Sequence, residues 1–155
     1  MIQLGLIGYP LGHSLSPKIH SAALKACGLD GTYSLFPIFP TDAQGLKDLL
    51  ARVRSGEISG LNVTIPHKQN VIPLLDELTP TAQAIGAVNT IYLKDSKLTG
   101  DNTDAAGFLA DLHRFLNNSS FVTHHLSPAT RRPSLVLGAG GSARAVAYAL
   151  LKDGS

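Results

Sequence analysis

One cysteine, Cys27, is all the sequence holds. That excludes an internal disulfide framework and a zinc site built on thiolates, and a lone thiol fits a reducing compartment. Charge is also scarce: 15% of residues are charged against 44% hydrophobic, a balance too apolar for intrinsic disorder. Thirteen basic and eleven acidic residues leave a net charge of +2. No Lys/Arg run or basic stripe interleaved with aromatics occurs, which argues against a nucleic-acid partner. No apolar run approaches the ~20 residues of a membrane span. The N-terminus lacks the basic and long apolar regions of a secretory signal. These absences predict a soluble cytoplasmic protein with neither a nucleic-acid nor a membrane partner. None of the six histidines shows H-E-x-x-H spacing, so no metal site is expected.

What is present alternates. The 155 residues suit one domain or slightly more, and 15 glycines and nine prolines provide for many turns. Residues 2–7 read as a buried strand. Ser16 and Pro17 then open a helix, Ser16 as N-cap and Pro17 at the first helical position, with Ile19, Ala22, Ala23 and Ala26 as its apolar face. A second strand follows over 33–39, where Pro37 favours an edge. A helix over 42–54 carries Leu46, Leu49, Leu50 and Val53 at helical spacing. Residues 60–65 form a third strand, and a helix from Pro66 reaches about Leu78 with a break at Pro73. A short helix over 81–85, a hairpin over 87–100 and a helix over 104–116 capped by Thr103 complete this part. Residues 117–133 are polar and aperiodic, a long connector that includes His124 and His125. Residues 134–137 then read as a strand, 138–142 as a glycine-rich turn and 143–152 as a helix.

The expected fold is therefore α/β: a small sheet with flanking helices, followed by the start of a Rossmann-like nucleotide-binding domain. Its divisions are a ligand-binding lobe over 1–103, a bridging helix and connector over 104–133, and a first strand–turn–helix over 134–155. A dinucleotide domain needs at least a βαβαβ half, so the second domain is expected to be truncated. Its open strand edge is expected to favour self-association.

Four stretches could carry chemistry. Gly138-Ala139-Gly140-Gly141-Ser142-Ala143 fits G-x-G-x-x-A between an apolar run and an alanine-rich helix. It is either a plain turn or a cradle for a pyrophosphate, with Gly140 admitting the phosphate and the helix N-terminus supplying N–H groups. Ser14 and Ser16 are a loop hydroxyl and a helix cap, or both face a pocket at a strand's carboxyl end. Asn62 and Thr64 project to one face of an otherwise apolar strand, and two such polar groups need partners if buried. Lys68 falls in the first turn of the next helix, where a cation opposes the macrodipole. It is either a snorkelling surface lysine or a proton-handling group. Asn89 is another amide in an apolar stretch. Asp104 is either a favourable charge in a helix's first turn or a carboxylate partner for Lys68.

Five motifs resemble those of the shikimate dehydrogenase family, in its order and spacing. They are Gly12-His13-Ser14-Leu15-Ser16-Pro17 with His20, Asn62-Val63-Thr64-Ile65-Pro66-His67-Lys68, Gly86-Ala87-Val88-Asn89-Thr90, Gly100-Asp101-Asn102-Thr103-Asp104-Ala105-Ala106-Gly107, and Gly138 to Ala143. The resemblance implies reversible, NADP-dependent reduction of 3-dehydroshikimate to shikimate in aromatic amino-acid biosynthesis. It implies Lys68 and Asp104 as the catalytic pair. It places Ser14 and Ser16 on the substrate carboxylate, and Asn62, Thr64, Asn89 and Asp104 on the ring hydroxyls. Gly138, Ala139, Gly140, Gly141 and Ser142 would hold the cofactor. Two alternatives stay open: a quinate/shikimate dehydrogenase using NAD, and a domain that binds shikimate without turning it over.

Overall fold

Six strands form one mixed sheet in the order β2-β1-β3-β5-β6-β4. The computed structural model describes residues 1–118 and 134–154. In chain order the elements are β1 (Ile2–Gly8), α1 (Ser16–Ala26), β2 (Gly31–Pro37), α2 (Ala43–Arg54), β3 (Gly60–Val63), α3 (His67–Asn70), β4 (Glu77–Leu78), α4 (Pro80–Ile85), β5 (Thr90–Lys94), β6 (Lys97–Asp101), α5 (Asp104–Asn118) and α6 (Gly141–Asp153). Strand β1 pairs in parallel with β2 on one side and with β3 on the other. The chain therefore leaves β1 in one direction and returns beside it in the other, which creates a topological switch point. In open α/β sheets, ligands bind outside the carboxyl ends of the strands at such a point.

The period-two alternation of β1 and β3 sorts their side chains onto two faces. Ile7, Leu61 and Val63 pack with Leu46, Leu49, Leu50 and Val53 of α2 and with Ile91 of β5. The four α2 side chains are each at most 4% exposed, so each contributes roughly 1.5–3 kcal/mol of burial. Asp42 caps α2, its carboxylate accepting the Gly45 N–H at 2.8 Å. The opposite face carries Leu6 and Tyr33 with Leu11 and Leu4. The β5–β6 hairpin turns through Asp95 and Ser96 at φ +50° and +62°, as a two-residue turn matched to strand twist requires.

Four local expectations are corrected. Ser16 is not the cap of α1: it is the first helical residue, Leu15 occupies the cap position, and the Ser14 hydroxyl accepts the Ser16 N–H at 3.2 Å. A serine side chain two residues upstream reaches that N–H as readily as a true cap would. The apolar face expected on α1 is also wrong, because Leu24 is its buried residue and Ile19 is 62% exposed. The expected helix from Pro66 to Leu78 is instead the single turn α3, a 3₁₀ turn over Ile72–Leu74, and β4. Pro73 breaks the helical ladder, and pairing with β6 recruits Glu77 and Leu78. With one turn only, α3 has no macrodipole for Lys68 to oppose. Lastly, residues 134–139 form no strand. Leu135 and Leu137 are 85% and 86% exposed, since a strand exists only where neighbouring strands take up its hydrogen bonds.

Helix α6 does dock. Its Ala145 and Ala149 bury completely or nearly so against Ile85 and Ala87 and against Ala105 of α5, with Phe108, Leu109 and Tyr148 around them. Residues 119–133, including His124, His125 and most of the expected connector, lie outside the described residues, as does residue 155.

Candidate functional site

Backbone links fix the frame of the site. The Thr64 N–H donates to the Ile7 carbonyl at 2.8 Å and the Val88 N–H to the Lys68 carbonyl at 2.7 Å. These bonds tie the end of β3, the start of α3 and the approach to β5 together below the switch point. At Gly8 an added Cβ would fall 2.4 Å from Thr64 Cγ2, so the close approach of β1 to the 64–65 segment needs glycine there.

Above this frame stands a knot of polar side chains. Lys68 Nζ donates to Asp104 Oδ2 at 2.5 Å, with the Lys68 side chain 12% and the Asp104 side chain 32% exposed. Asn89 Nδ2 donates to Asp104 Oδ1 at 2.7 Å and to Thr103 Oγ1 at 2.9 Å. Asn89 Oδ1 in turn accepts the Thr103 N–H at 3.0 Å. Asn102 supplies the side chain at the start of α5: its Oδ1 accepts the Asp104 N–H at 3.0 Å, while its Nδ2 donates to the Ala87 carbonyl at 3.0 Å. The expected cap, Thr103, turns its hydroxyl to Asn89 instead. Both amides are buried, Asn89 at 8% and Asn102 at 3% exposure, and each gives Asp104 one hydrogen bond, Asn89 to the carboxylate and Asn102 to the backbone N–H. The carboxylate is therefore held on two sides before any ligand arrives.

The glycine turn reaches this knot. Ser142 Oγ lies 3.2 Å from Lys68 Nζ. Gly141 sits so close to the lysine stem that an added Cβ would meet Lys68 Cδ at 2.9 Å and Cβ at 3.0 Å. A cavity of about 160 Å³ opens between Pro66, Lys68 and Gln69 on one side and Gly140 to Ala143 on the other. Gly138 has φ +126°, a conformation open to glycine and strained for other residues. Gly140 is the cap residue of the 13-residue α6 and no side chain caps the helix. Nothing lies within 4 Å of where a Cβ would stand at Gly140. A bare helix N-terminus behind an open glycine backbone fits an anionic phosphate.

A second cluster lies over the sheet face that carries Leu4 and Leu6, where Tyr33 of β2 stands beside Leu4 and Asn62 of β3 beside Leu6. Tyr33 donates its phenol proton to Asn62 Oδ1 at 2.9 Å, and the His20 ring stacks on Tyr33 at 4.3 Å between centroids. Burial pushes the Tyr33 phenol up to about 12. Ser14, Ser16, Asn62 and Thr64 are all half-buried. Among the described residues no three His, Cys, Asp or Glu side chains stand together as a metal site would need.

The model for the shikimate dehydrogenase substrate binding domain matches residues 6–91, more than half of the chain. The chain belongs to the shikimate dehydrogenase family. It is 49% identical over 150 residues to the shikimate dehydrogenase (NADP(+)) of Oleidesulfovibrio alaskensis, covering 97% of this chain and 48% of that protein. Against the shikimate dehydrogenase (NADP(+)) of Geobacter metallireducens the identity is 48% over 152 residues, 98% of this chain and 49% of the other. Among solved structures, the shikimate 5-dehydrogenase of Thermus thermophilus in complex with NADP(H) and shikimate superimposes with a TM-score of 0.81 at 39% identity. That match covers 99% of this chain and 53% of that one. The chain thus spans about half the length of the curated shikimate dehydrogenases it matches.

Within this family frame, the fold brings Lys68, Asp104, Asn89 and Ser142 into one chain of contacts and ties Asn62 to the Tyr33 phenol. Ser14 serves the start of α1. Of the glycine turn, Gly140, Gly141 and Ser142 line the cavity beside Lys68. Reading the sequence alone missed Tyr33, Asn102 and Thr103. Asn102 and Thr103 lie inside a motif already singled out for Asp104. Tyr33 carried no local signal, because its partner is 29 residues away.

Proposed function

We propose that this chain is the substrate-binding lobe, with the first turn and helix of the cofactor-binding part, of an NADP-dependent shikimate dehydrogenase that interconverts 3-dehydroshikimate and shikimate. The single observation that carries this reading is the Lys68–Asp104–Asn89 knot facing the open glycine turn. Residues 1–103 form the shikimate lobe, 104–133 the bridge and 134–155 the beginning of the dinucleotide part.

Lys68 Nζ is the proton donor to the substrate oxygen that gains charge as the ketone is reduced, and the acceptor of that proton in the reverse direction. Asp104 holds the ammonium in place through Oδ2 and is itself oriented by Asn89 and Asn102. Asn62, Thr64, Asn89 and Asp104 take the ring hydroxyls, and Ser14 and Ser16 take the carboxylate. A small triol acid requires this many hydrogen-bonding groups, because each ring hydroxyl removed from water needs a partner. Gly138, Ala139, Gly140, Gly141 and Ser142 hold the pyrophosphate. When bound, NADP supplies the hydride acceptor or donor. The free, exposed thiol of Cys27 fits the reducing cytoplasm, and the exposed Leu135 and Leu137 support self-association through the 134–139 stretch.

Calorimetric titration of the chain with shikimate tests the binding half of this reading. Saturable binding that is lost in Asp104→Ala is expected, and absence of binding by the unchanged chain overturns it. The proton-transfer role is tested by joining the chain to the second half of the Oleidesulfovibrio relative. There Lys68→Ala should lower kcat by about 10²–10⁴ with a far smaller change in KM.

A further inference from the structure

Tyr33 has no place in the chemistry above, yet it holds one of the side chains assigned to the substrate. Its ring, on β2, lies over the sheet face beneath His20 of α1 and reaches across β1 to β3. Its phenol donates to Asn62 Oδ1 at 2.9 Å. The ring is 9% exposed and is clamped in a parallel stack with His20, the interplanar angle being 6°. A phenol held this way cannot swing out to find water instead.

We infer that Tyr33 is a specificity-determining positioning residue, which fixes the Asn62 amide so that only its Nδ2 protons are offered to the ligand. The inference rests on the shikimate-binding reading. An asparagine side chain brings one carbonyl and one NH₂ group, and can present either to a ligand by a half-turn of the amide. The Tyr33 proton has one place to go, and it goes to Asn62 Oδ1. That spends the carbonyl and directs the two N–H donors towards the carboxyl end of β3. Burial supports the arrangement by keeping the phenol protonated well beyond neutral pH, so the donor persists through the working range. An amide locked as a donor recognises a ligand oxygen that accepts, whether hydroxyl or ketone. Both oxidation states of a hydroxyl/ketone pair meet that requirement, so the same contact serves substrate and product.

The test is a double-mutant cycle read by calorimetric titration with shikimate, using the whole chain. Tyr33→Phe keeps the ring and its stack on His20 and removes one oxygen. It should weaken shikimate binding roughly 5–20-fold. In an Asn62→Ala background the same change should alter affinity less than about twofold, since the group it positions is gone. A merely structural role for Tyr33 would cost the same factor in both backgrounds. Equal losses in the two backgrounds, or parent-like affinity of Tyr33→Phe, overturn the inference. Failure of the unchanged chain to bind shikimate overturns the functional reading itself, and is distinguishable because it appears before any substitution is made. The Asn62 side-chain amide resonances of the unchanged chain give a second reading that does not depend on the variant folding. Both Nδ2 protons should shift on shikimate addition, and silence at that amide while shikimate binds elsewhere overturns the inference.

Discussion

Replacing Asp104 with asparagine removes one charge and almost no volume, so its effect isolates what the carboxylate does for Lys68. In the folded chain Lys68 Nζ sits 2.5 Å from Asp104 Oδ2, with the lysine side chain 12% exposed. Removing one partner of a fully buried pair costs about 3–5 kcal/mol because the other charge is left without compensation, whereas an exposed pair is worth at most about 1 kcal/mol. The Asp104 side chain is 32% exposed and water reaches it, so Asp104→Asn should cost an intermediate ~1–3 kcal/mol. For a chain of this size that corresponds to a fall in Tm of about 2–12 °C. Lys68→Met should cost less, because the methionine stem still packs under Gly141 and Asp104 keeps the Asn89 donor. The double variant should then be no less stable than Asp104→Asn alone, since the penalty belongs to the orphaned ammonium. Denaturant titrations of the four proteins measure this directly. Additive losses in the double variant, or an Asp104→Asn protein as stable as its parent, would refute the reasoning.

Three further outcomes follow from the geometry. Ser14→Ala should lower helix stability by roughly 0.5–1 kcal/mol while Ser16→Ala leaves it nearly unchanged, because the Ser14 hydroxyl takes the first N–H of α1; the reverse order of melting temperatures would return the cap to Ser16. Asp76 bridges α2 to β6, its carboxylate taking the Arg54 guanidinium at 2.6 Å and the Leu98 N–H at 2.7 Å, and Arg54 first and then that N–H hold its pKa down at about 2. A depressed carboxyl adds stability that is complete above its unfolded value of about 4 and is lost as pH falls towards 2; the acid-side decline in Tm should therefore flatten in Asp76→Asn, and an unchanged slope would count against the bridge. Gly141→Ala should loosen α6 by roughly 1–3 kcal/mol, because its Cβ meets both the Lys68 stem and Ala87; amide shifts confined to α6 and residues 85–87 would report this, and parent-like spectra would contradict it.

Much of the fold is local enough to read from the chain. Leu46, Leu49, Leu50 and Val53 repeat at helical spacing, and α2 forms with that face inward because burying one stripe stabilises the helix that presents it. The β5–β6 hairpin and the glycine turn before α6 are legible for the same reason, since their signals lie within a few neighbouring residues. Family membership was legible in five ordered motifs. Tertiary structure decided what depends on residues far apart. Pairing with β6 makes a strand of Glu77 and Leu78 where helix was expected. Residues 134–137 stay out of the sheet, although their composition reads as strand, because strand hydrogen bonds come from neighbouring strands. Lys68 meets Asp104 across 36 residues, Ser142 across 74, and Tyr33 meets Asn62 across 29. Spacing along the chain carries periodicity, which orients a side chain on its own element. Only packing of one element on another sets the distance between two such side chains, and hydrogen bonds and ion pairs depend on that distance to within a few tenths of an ångström.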